Sequence, residues 1–333
     1  MNIKKRLILF IVLLFAVILL FLLNLTYGSV VIPFHEVWHI LAGIVNGNEV
    51  YHAIIFKLRL PSALAALTAG AALATAGLAM QTLFRNPLAE SSILGISSGA
   101  SLGVALVTLV AGKQVLTYMG GNMLILSAAF VGAMMILLVI TLLAQRVSTT
   151  TLLLVGVMLS FSVSAITGIL QFFASKEGLQ SFVIWGMGSF KNVTNSQSLL
   201  SLATVAILVV VLFFHIKGLN VFTIGESYAV NSGIKIRRLT TSTILIAGGL
   251  TAITTAFCGP IAFIGLMTPH FARVLFKTFN HRTLIFACVF LGMLLTLLCN
   301  VIATLPGSES VLPINAVTSI IGAPVVIFLI LKK

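Results

Sequence analysis

The chain has 333 residues, of which 59% are hydrophobic and 8% are charged. Because soluble domains carry about 25% charged residues, this composition excludes a water-soluble domain built around one core. The formal net charge of +13 does not indicate nucleic-acid binding, since the basic residues stand singly or in short groups at the ends of apolar stretches.

Apolar stretches long enough to cross a bilayer follow one another along nearly the whole chain. About 20 such residues span the hydrocarbon layer as a helix, and the first run is too long for the ~7–15 residues of a signal peptide. A shorter segment over residues 260–276 is interrupted by Pro260 and Pro269. The nine longer spans are predicted at residues 7–26, 63–83, 94–111, 123–143, 151–174, 195–215, 241–258, 284–303 and 312–331.

The placement of Lys and Arg tests this segmentation, because cytoplasmic connections of membrane proteins carry most of them. With the N-terminus inside, fourteen of the nineteen fall in cytoplasmic connections and five fall outside. Adding or dropping one helix would invert this bias downstream. We therefore predict an all-α polytopic membrane protein of ten helices with both termini cytoplasmic, in a single transmembrane domain over residues 1–333.

One catalytic motif appears in the predicted outer connection 28–58. His35, Glu36 and His39 form a His-Glu-x-x-His pattern, which on a helix binds zinc, and His52 lies nearby. The pattern fixes only three positions, and the chain has no Asp to supply a distant third ligand. We interpret the match as accidental and expect no metal site, with a zinc protease as an alternative that metal analysis decides.

Two polar stretches break the apolar sequence in corresponding halves of the chain, each after a long apolar helix. The helix before the first runs inward, and the helix before the second runs outward. Such breaks in oppositely oriented halves are typical of an inverted-repeat transporter, although simple turns between helices remain an alternative. The residues of interest are Asn86, Pro87, Gly95 and Gly99 in the first stretch, and Gly259, Pro260, Gly265, Pro269, His270 and Arg273 in the second.

The chain carries no motor of its own. The Gly112-Lys113 pair is followed by Gln and completes no phosphate-binding loop. Ion-coupled carriers usually place ionisable groups inside spans, where each costs roughly 2.5–3.5 kcal/mol, and the nine longer spans are free of Asp, Glu, Lys and Arg. An external source of energy is therefore favoured, with an ion-coupled secondary transporter as the alternative.

The longest predicted cytoplasmic connection, residues 216–240, offers a place for a partner to dock. Glu226 early and basic residues late suit a short helix by dipole complementarity, with Gly233 as its end. A short amphipathic helix of this kind can lie on lipid or bind a soluble partner. Docking is the more informative hypothesis for a chain without a motor.

Five motifs in order resemble the permease subunits of ABC importers for iron-siderophores, haem and vitamin B12, the FecCD-type permeases. The resemblance covers residues 55–331, nearly the whole chain. The motifs are Leu58 to Pro61, Met80 to Glu90 with Leu94 to Gly99, the Gly225-Glu226 loop, Gly259 to Arg273, and Leu312-Pro313 with Gly322 to Pro324.

The resemblance implies a ten-helix permease that pairs with a second permease, identical or homologous, around a central path. Two ATP-binding subunits and an extracytoplasmic substrate-binding protein complete such importers, and ATP with Mg²⁺ binds only to the partner subunits. The chain itself would have no catalytic residue, no cofactor and no nucleic-acid partner. The coupling helices of the family match Gly225, Glu226, Ser227, Ala229 and Gly233.

The resemblance also implies docking of the binding protein to basic residues on the outer face, and here the sequence departs from the family. Arg59 keeps the first basic position, but Ser62 replaces the second Arg. Asn300 and Thr304 stand where the ninth helix commonly carries Asp and Arg. We expect Arg59 to contribute to docking, with Lys57 as a substitute, and a heterodimer would supply the missing partners.

The resulting prediction is an importer subunit in the cell membrane, without enzymatic activity. Ferric siderophores come first as cargo because they are the commonest cargo of the family. Haem and cobalamin importers share the same motifs and remain alternatives.

Overall fold

The computed structural model describes residues 2–43, 49–110, 121–304 and 311–331. Lys113, Lys332 and Lys333, which the charge analysis assigns to the outside and the cytoplasm, lie outside these residues. The described part is all helical. Its fifteen α-helices are α1 Ile3–Thr26, α2 Phe34–Leu41, α3 Glu49–Ile54, α4 Leu60–Leu83, α5 Ile96–Ala105, α6 Gly121–Leu143, α7 Thr149–Phe172, α8 Lys176–Gly186, α9 Asn195–Phe213, α10 Ile216–Ile224, α11 Glu226–Asn231, α12 Ile236–Cys258, α13 Ile264–Phe276, α14 His281–Ala303 and α15 Ile314–Leu331.

Seven helical stretches in the described part are long and apolar enough to cross a membrane. They are α1, the continuous helix Glu49–Leu83, α6, α7, α9, α12 and α14. Two shorter apolar helices cover Ile96–Val110 and Ile314–Phe328, and α13 has only 13 residues. The all-helical polytopic class is confirmed. The count of ten spans, the inverted repeat and the cytoplasmic position of both termini stay predictions.

The helices divide into a central group and a peripheral group. Of the most apolar 18 residues of α4, 89% are buried inside the protein, against 17% of those in α1 and 22% of those in α6, α7 and α9. The small residues of α4 explain this position, because Gly and Ala let neighbouring backbones approach closely in lipid. α4 packs against α12, α13 and α14, so it forms the axis on which the polar residues of both ends are held.

The predicted span 63–83 begins much earlier in the structure. α3 continues into α4 through a π-helical turn, Ile55–Arg59, so one helix runs from Glu49 to Leu83. Pro61 explains the turn, because proline cannot donate a backbone hydrogen bond and its ring clashes with the preceding turn of an α-helix. The wider π turn, closed by the Leu60 N–H bonded to the Ile55 carbonyl, accommodates it.

Candidate coupling site

Two short helices stand where one coupling helix is predicted. α10 and α11, here called the coupling segment, are joined through Gly225. α11 ends in a Schellman motif, in which the Gly233 N–H bonds to the Val230 carbonyl at 2.9 Å and the Ile234 N–H to the Ala229 carbonyl at 3.0 Å. Gly233 has a φ of +78°, a left-handed conformation that favours glycine. The prediction that Gly233 ends this helix is confirmed.

The coupling segment exposes apolar side chains. Ala229 is fully buried and anchors α11, whereas Ile224 is 70% and Tyr228 is 53% exposed. Glu226 and Ser227 are also accessible at the surface of α11. Apolar side chains in such positions, rimmed by polar ones, are typical of a protein-binding surface.

The basic residues after Gly233 do not complete this short helix. Lys235 precedes α12, and Arg237 and Arg238 lie in its first turn. The dipole argument for a single helix ending in basic residues was therefore wrong, because Gly233 turns the chain before they occur. Their position still agrees with the excess of basic residues at cytoplasmic helix ends.

Arg85 ties the coupling segment to the end of α4. Its Nη2 donates to the Phe222 carbonyl at 3.1 Å, and its guanidinium lies 4.9 Å from the centroid of the Phe222 ring. Phe222 belongs to α10 and is buried. Two contacts of Arg85 thus join α10 to the connection that follows α4.

A second contact runs from α10 through His281 to α4. Asn220 Oδ1 accepts the His281 backbone N–H at 2.8 Å and lies 2.8 Å from His281 Nδ1. His281 Nε2 lies 2.7 Å from Thr82 Oγ1. His281 and Thr82 are both buried. Two separate sets of side chains thus hold the coupling segment to the C-terminal end of α4.

A glutamate from the first polar stretch binds the start of α13, at the helix break predicted near Pro260. The Glu90 carboxylate accepts hydrogen bonds from the backbone N–H groups of Phe263 and Gly265, and from the Ser92 side chain. It thereby satisfies donors at the start of α13 that have no partner within the helix. Glu90 lies in the connection between α4 and α5, where burial raises its pKa to about 7 against the opposing effect of these bonds.

Pro269 inside α13 leaves one backbone carbonyl without its helical donor, and the Gln81 side chain lies beside it. Proline has no N–H, so the Gly265 carbonyl lacks its usual helical donor. Gln81 Nε2 donates to the Leu266 carbonyl at 3.0 Å and lies 3.4 Å from the Gly265 carbonyl. Gln81 Oε1 accepts from Arg273 Nη1 at 2.7 Å. One buried glutamine of α4 therefore binds both ends of α13.

The backbones of α4 and α13 touch at Gly77 and Gly265. A Cβ added to Gly77 would collide with the carbonyl of Gly265. The two polar stretches thus pack against each other, and their contact continues through Thr82 and Arg85 to α10. We call the set Gln81, Thr82, Arg85, Asn220, Phe222, Arg273 and His281 the coupling relay.

The other predicted motif residues occupy three places. Asn86 and Pro87 are exposed, and Asn86 Oδ1 caps the Leu88 N–H at 2.9 Å. Gly95 and Gly99 face α6 and α7 rather than α13. Gly259 and Pro260 lie in the connection between α12 and α13, and His270 is on α13 beside the relay.

Arg59, at the end predicted to face outward, is bound within the chain. Its Nη1 donates to the Leu25 and Thr26 carbonyls at 2.7 and 2.9 Å, and its Nη2 donates to the Val30 carbonyl. These bonds satisfy carbonyls at and just beyond the end of α1. Lys57 is exposed. Arg59 thus has a structural role beside any role in docking.

A neutral polar cluster lies beside Arg59, which we call the outer cluster. Asn300 Nδ2 donates to Asn24 Oδ1 at 2.8 Å and lies 3.2 Å from Ser62 Oγ. Asn24 Nδ2 donates to the Leu297 carbonyl at 3.1 Å. All three side chains are buried. Ser62 and Asn300 therefore join α1, α4 and α14 at the positions where the family pattern has charges.

Lys191 lines the cavity of about 250 Å³ that Arg59 and the outer cluster also border. Burial, and then the charge of Arg59, lower the pKa of its ammonium. Thr304 lines the same cavity and bonds to the Asn300 carbonyl at 2.5 Å. Lys191 adds a cation to the outer end that the sequence motifs do not single out.

The His-Glu-x-x-His pattern does lie on a helix, α2. His35 Nε2 is 3.6 Å from Glu36 Oε1, and the rings of His35 and His39 are 6.3 Å apart. His52 packs on Phe56 instead. Within the described residues, no group of three or more His, Cys, Asp or Glu side chains is placed to hold a metal ion.

Comparison with known proteins decides the family. The model of the FecCD transport family matches residues 15–332. The chain belongs to this family. The vitamin B12 import system permease protein BtuC of Salmonella typhi is 36% identical over 280 residues, which are 84% of this chain and 84% of the relative. BtuC of Salmonella newport has the same identity and coverage.

Solved structures give the same assignment for this FecCD chain. An inward-facing conformation of a metal-chelate type ABC transporter has a TM-score of 0.85 at 27% identity, covering 98% of this chain and 99% of that one. PsaBC from Streptococcus pneumoniae in complex with Fab has a TM-score of 0.51 at 12% identity, over 88% and 94%, and shows the fold alone.

The FecCD chain is therefore a permease of an ABC importer, a multi-pass protein of the inner membrane. It is a transport component, not an enzyme. Importers of this class work with ATP-binding subunits and a substrate-binding protein. Family membership replaces the alternatives of an ion-coupled carrier and a zinc protease.

Proposed function

We propose that the chain is one permease half of an ABC importer for a ferric siderophore, driven through the coupling segment by ATP-binding partners. The carrying observation is the coupling relay: Arg85 and His281 bond α10 to the end of α4, and Gln81 of α4 bonds the broken helix α13, all at 2.7–3.1 Å. ATP binding moves the coupling segment, and the relay transmits the movement to α13. The chain needs no cofactor for this role, and ATP with Mg²⁺ binds to the partners.

The similarity to a metal-chelate type transporter supports a chelated metal as cargo. Cobalamin is the second candidate because BtuC, a vitamin B12 permease, is 36% identical. Haem is a third chelate carried by the class. The helix-break residues before and at the start of α13, among them Gly259, Pro260 and Gly265, are the part of the path that we expect to move.

The partner on the cargo side is a substrate-binding protein. Exposed Lys57, together with Lys191 and the part of Arg59 that is not occupied by α1, offers the cations for its acidic side chains. The neutral outer cluster supports pairing with a homologous second permease that carries more charge at this end. Purification of the complex and mass analysis of its permease chains tests this, with two different chains expected.

The test of cargo is uptake in a strain that lacks this chain. Radiolabelled ferric siderophore, haem and cobalamin are offered separately, with and without the wild-type chain restored. We expect loss of ferric siderophore uptake alone, and its return on restoration. Loss of cobalamin uptake alone would establish the second candidate, and normal uptake of all three would contradict the proposal.

A further inference from the structure

A second feature of the cytoplasmic end is a cavity of about 560 Å³ between α4, α10, α13 and α14. Its lining includes two arginines, Arg85 and Arg273, and two histidines, His270 and His281, and we call it the basic cavity. None of the described residues that line it is acidic. Glu90 is occupied elsewhere, at the start of α13.

The two arginines of the basic cavity have neutral partners within the described residues. Arg85 donates to the Phe222 carbonyl, and Arg273 donates to the side-chain oxygen of Gln81. Each guanidinium has five N–H donors, so most of their capacity remains for a further acceptor. A carboxylate is the acceptor that matches a guanidinium best, because it accepts two parallel hydrogen bonds.

The position of the cavity indicates where that carboxylate comes from. Thr223 of α10 lines it, and Arg85 in its wall holds the Phe222 carbonyl of α10. The cavity thus borders the coupling segment at Thr223. A protein that binds the coupling segment therefore lies beside the cavity.

We propose that the basic cavity receives an acidic side chain of the ATP-binding subunit, as a second anchor beside the coupling segment. This inference rests on the proposed function, in which that subunit binds α10 and α11. The pair of a half-buried arginine and an inserted carboxylate would fix the subunit's rotation on the permease, which an apolar contact alone does not.

The experiment measures the affinity of the purified permease for its ATP-binding subunit at low and high NaCl. Arg273→Gln removes one cation, and we expect an affinity loss of about tenfold at low salt with a flatter salt dependence. Arg282→Gln is the matched control, because Arg282 follows His281 but is exposed and outside the cavity. Gln81→Ala keeps the charge while it removes the partner of Arg273, and we expect it to leave the salt dependence unchanged.

Charge exchange separates the inference from misfolding. Arg273→Glu should abolish tight binding of the ATP-binding subunit. Replacing by Arg the acidic residue of that subunit that enters the basic cavity should restore it. Equal affinity and salt dependence of Arg273→Gln and Arg282→Gln would overturn the inference. Competition by inorganic phosphate at the cavity, with subunit affinity unaffected by Arg273→Gln, would also overturn it. Failure of the wild-type permease to bind any ATP-binding subunit would instead contradict the proposed function.

Discussion

The two ends of the bundle hold their polar groups in different ways. At the end predicted to be cytoplasmic, the coupling relay uses arginine, histidine and glutamine to bridge helices α4, α10, α13 and α14. At the outer end, the asparagines and serine of the outer cluster join α1, α4 and α14 with neutral groups. We infer from this difference that the coupling relay transmits movement, as the proposed function requires, whereas the outer cluster holds three helices together.

The first prediction concerns the axis on which both ends depend. Gly77→Leu places a side chain against the Gly265 backbone, and we expect a loss of about 3 kcal/mol in folding free energy with loss of uptake. Gly168→Leu on α7 is the control, because a Cβ there meets nothing within 4 Å. Unfolding in detergent measures both variants. Equal stability of the two would show that α4 and α13 are not in close contact.

The second prediction uses the pH dependence of Glu90. Burial raises its pKa from 4.5 to about 7, so the folded chain retains a proton that the unfolded chain loses between these values. The contribution of Glu90 to stability should therefore fall as the pH rises from 4.5 to 7, by up to about 3 kcal/mol, and then level off; the difference between the wild type and Glu90→Gln separates it from other buried groups that titrate. Unfolding at about pH 5, 6 and 8 measures this slope.

Glu90→Gln stays neutral and should lose the slope, so that it is more stable than the wild type at about pH 8. Glu177→Gln, an exposed position, should retain the slope. The same pH dependence of stability in the wild type and in Glu90→Gln would contradict the buried position of Glu90.

The third prediction tests whether the coupling relay transmits movement. Gln81→Leu leaves Arg273 and the Leu266 carbonyl without their partner, which should cost about 2 kcal/mol. We also expect more ATP hydrolysed per cargo molecule, because α13 no longer follows α4. Exposed Gln180→Leu on α8 is the control. The assay compares uptake and ATP hydrolysis in proteoliposomes, and an unchanged ratio in Gln81→Leu would refute a role in transmission.

The fourth prediction concerns the outer cluster. Asn300→Leu removes the donor to Asn24 and should cost about 1 kcal/mol, the usual scale of side-chain hydrogen bonds between membrane helices. The ratio of ATP hydrolysed to cargo moved should stay at the wild-type value. Exposed Asn192→Leu, in the connection between α8 and α9, should change neither quantity. If Asn300→Leu altered the ratio, the two ends would not differ as described.

Much of the fold could be predicted from the sequence, because long apolar runs and the placement of Lys and Arg each follow from the properties of the bilayer. Gly233 and the helix break near Pro260 were also predictable, since glycine and proline act on the local backbone. The π turn before Pro61 was missed. Its cause is a proline inside an otherwise continuous helix, a local signal that the span prediction did not use.

The relay was harder to predict because its members are far apart in the chain. His281 and Asn220 belong to no motif, and only the packing of α10 on α14 brings them within 2.8 Å. Gln81 and Glu90 belong to the Met80 to Glu90 motif, but nothing in the local sequence indicates that they bind the unpaired backbone groups of α13. Asn24 is a polar residue at the end of the first apolar run, which is the one signal for the outer cluster.

The most direct test of the account is the accessibility of the coupling segment. Cys258, Cys288 and Cys299 are buried, so a cysteine introduced by Ser227→Cys on exposed α11 gives a clean signal. We predict that a membrane-impermeant thiol reagent labels it only from the cytoplasmic side, and that the ATP-binding subunit protects it in a nucleotide-dependent manner. Labelling from the outside, or labelling unaffected by that subunit, would contradict coupling through α10 and α11.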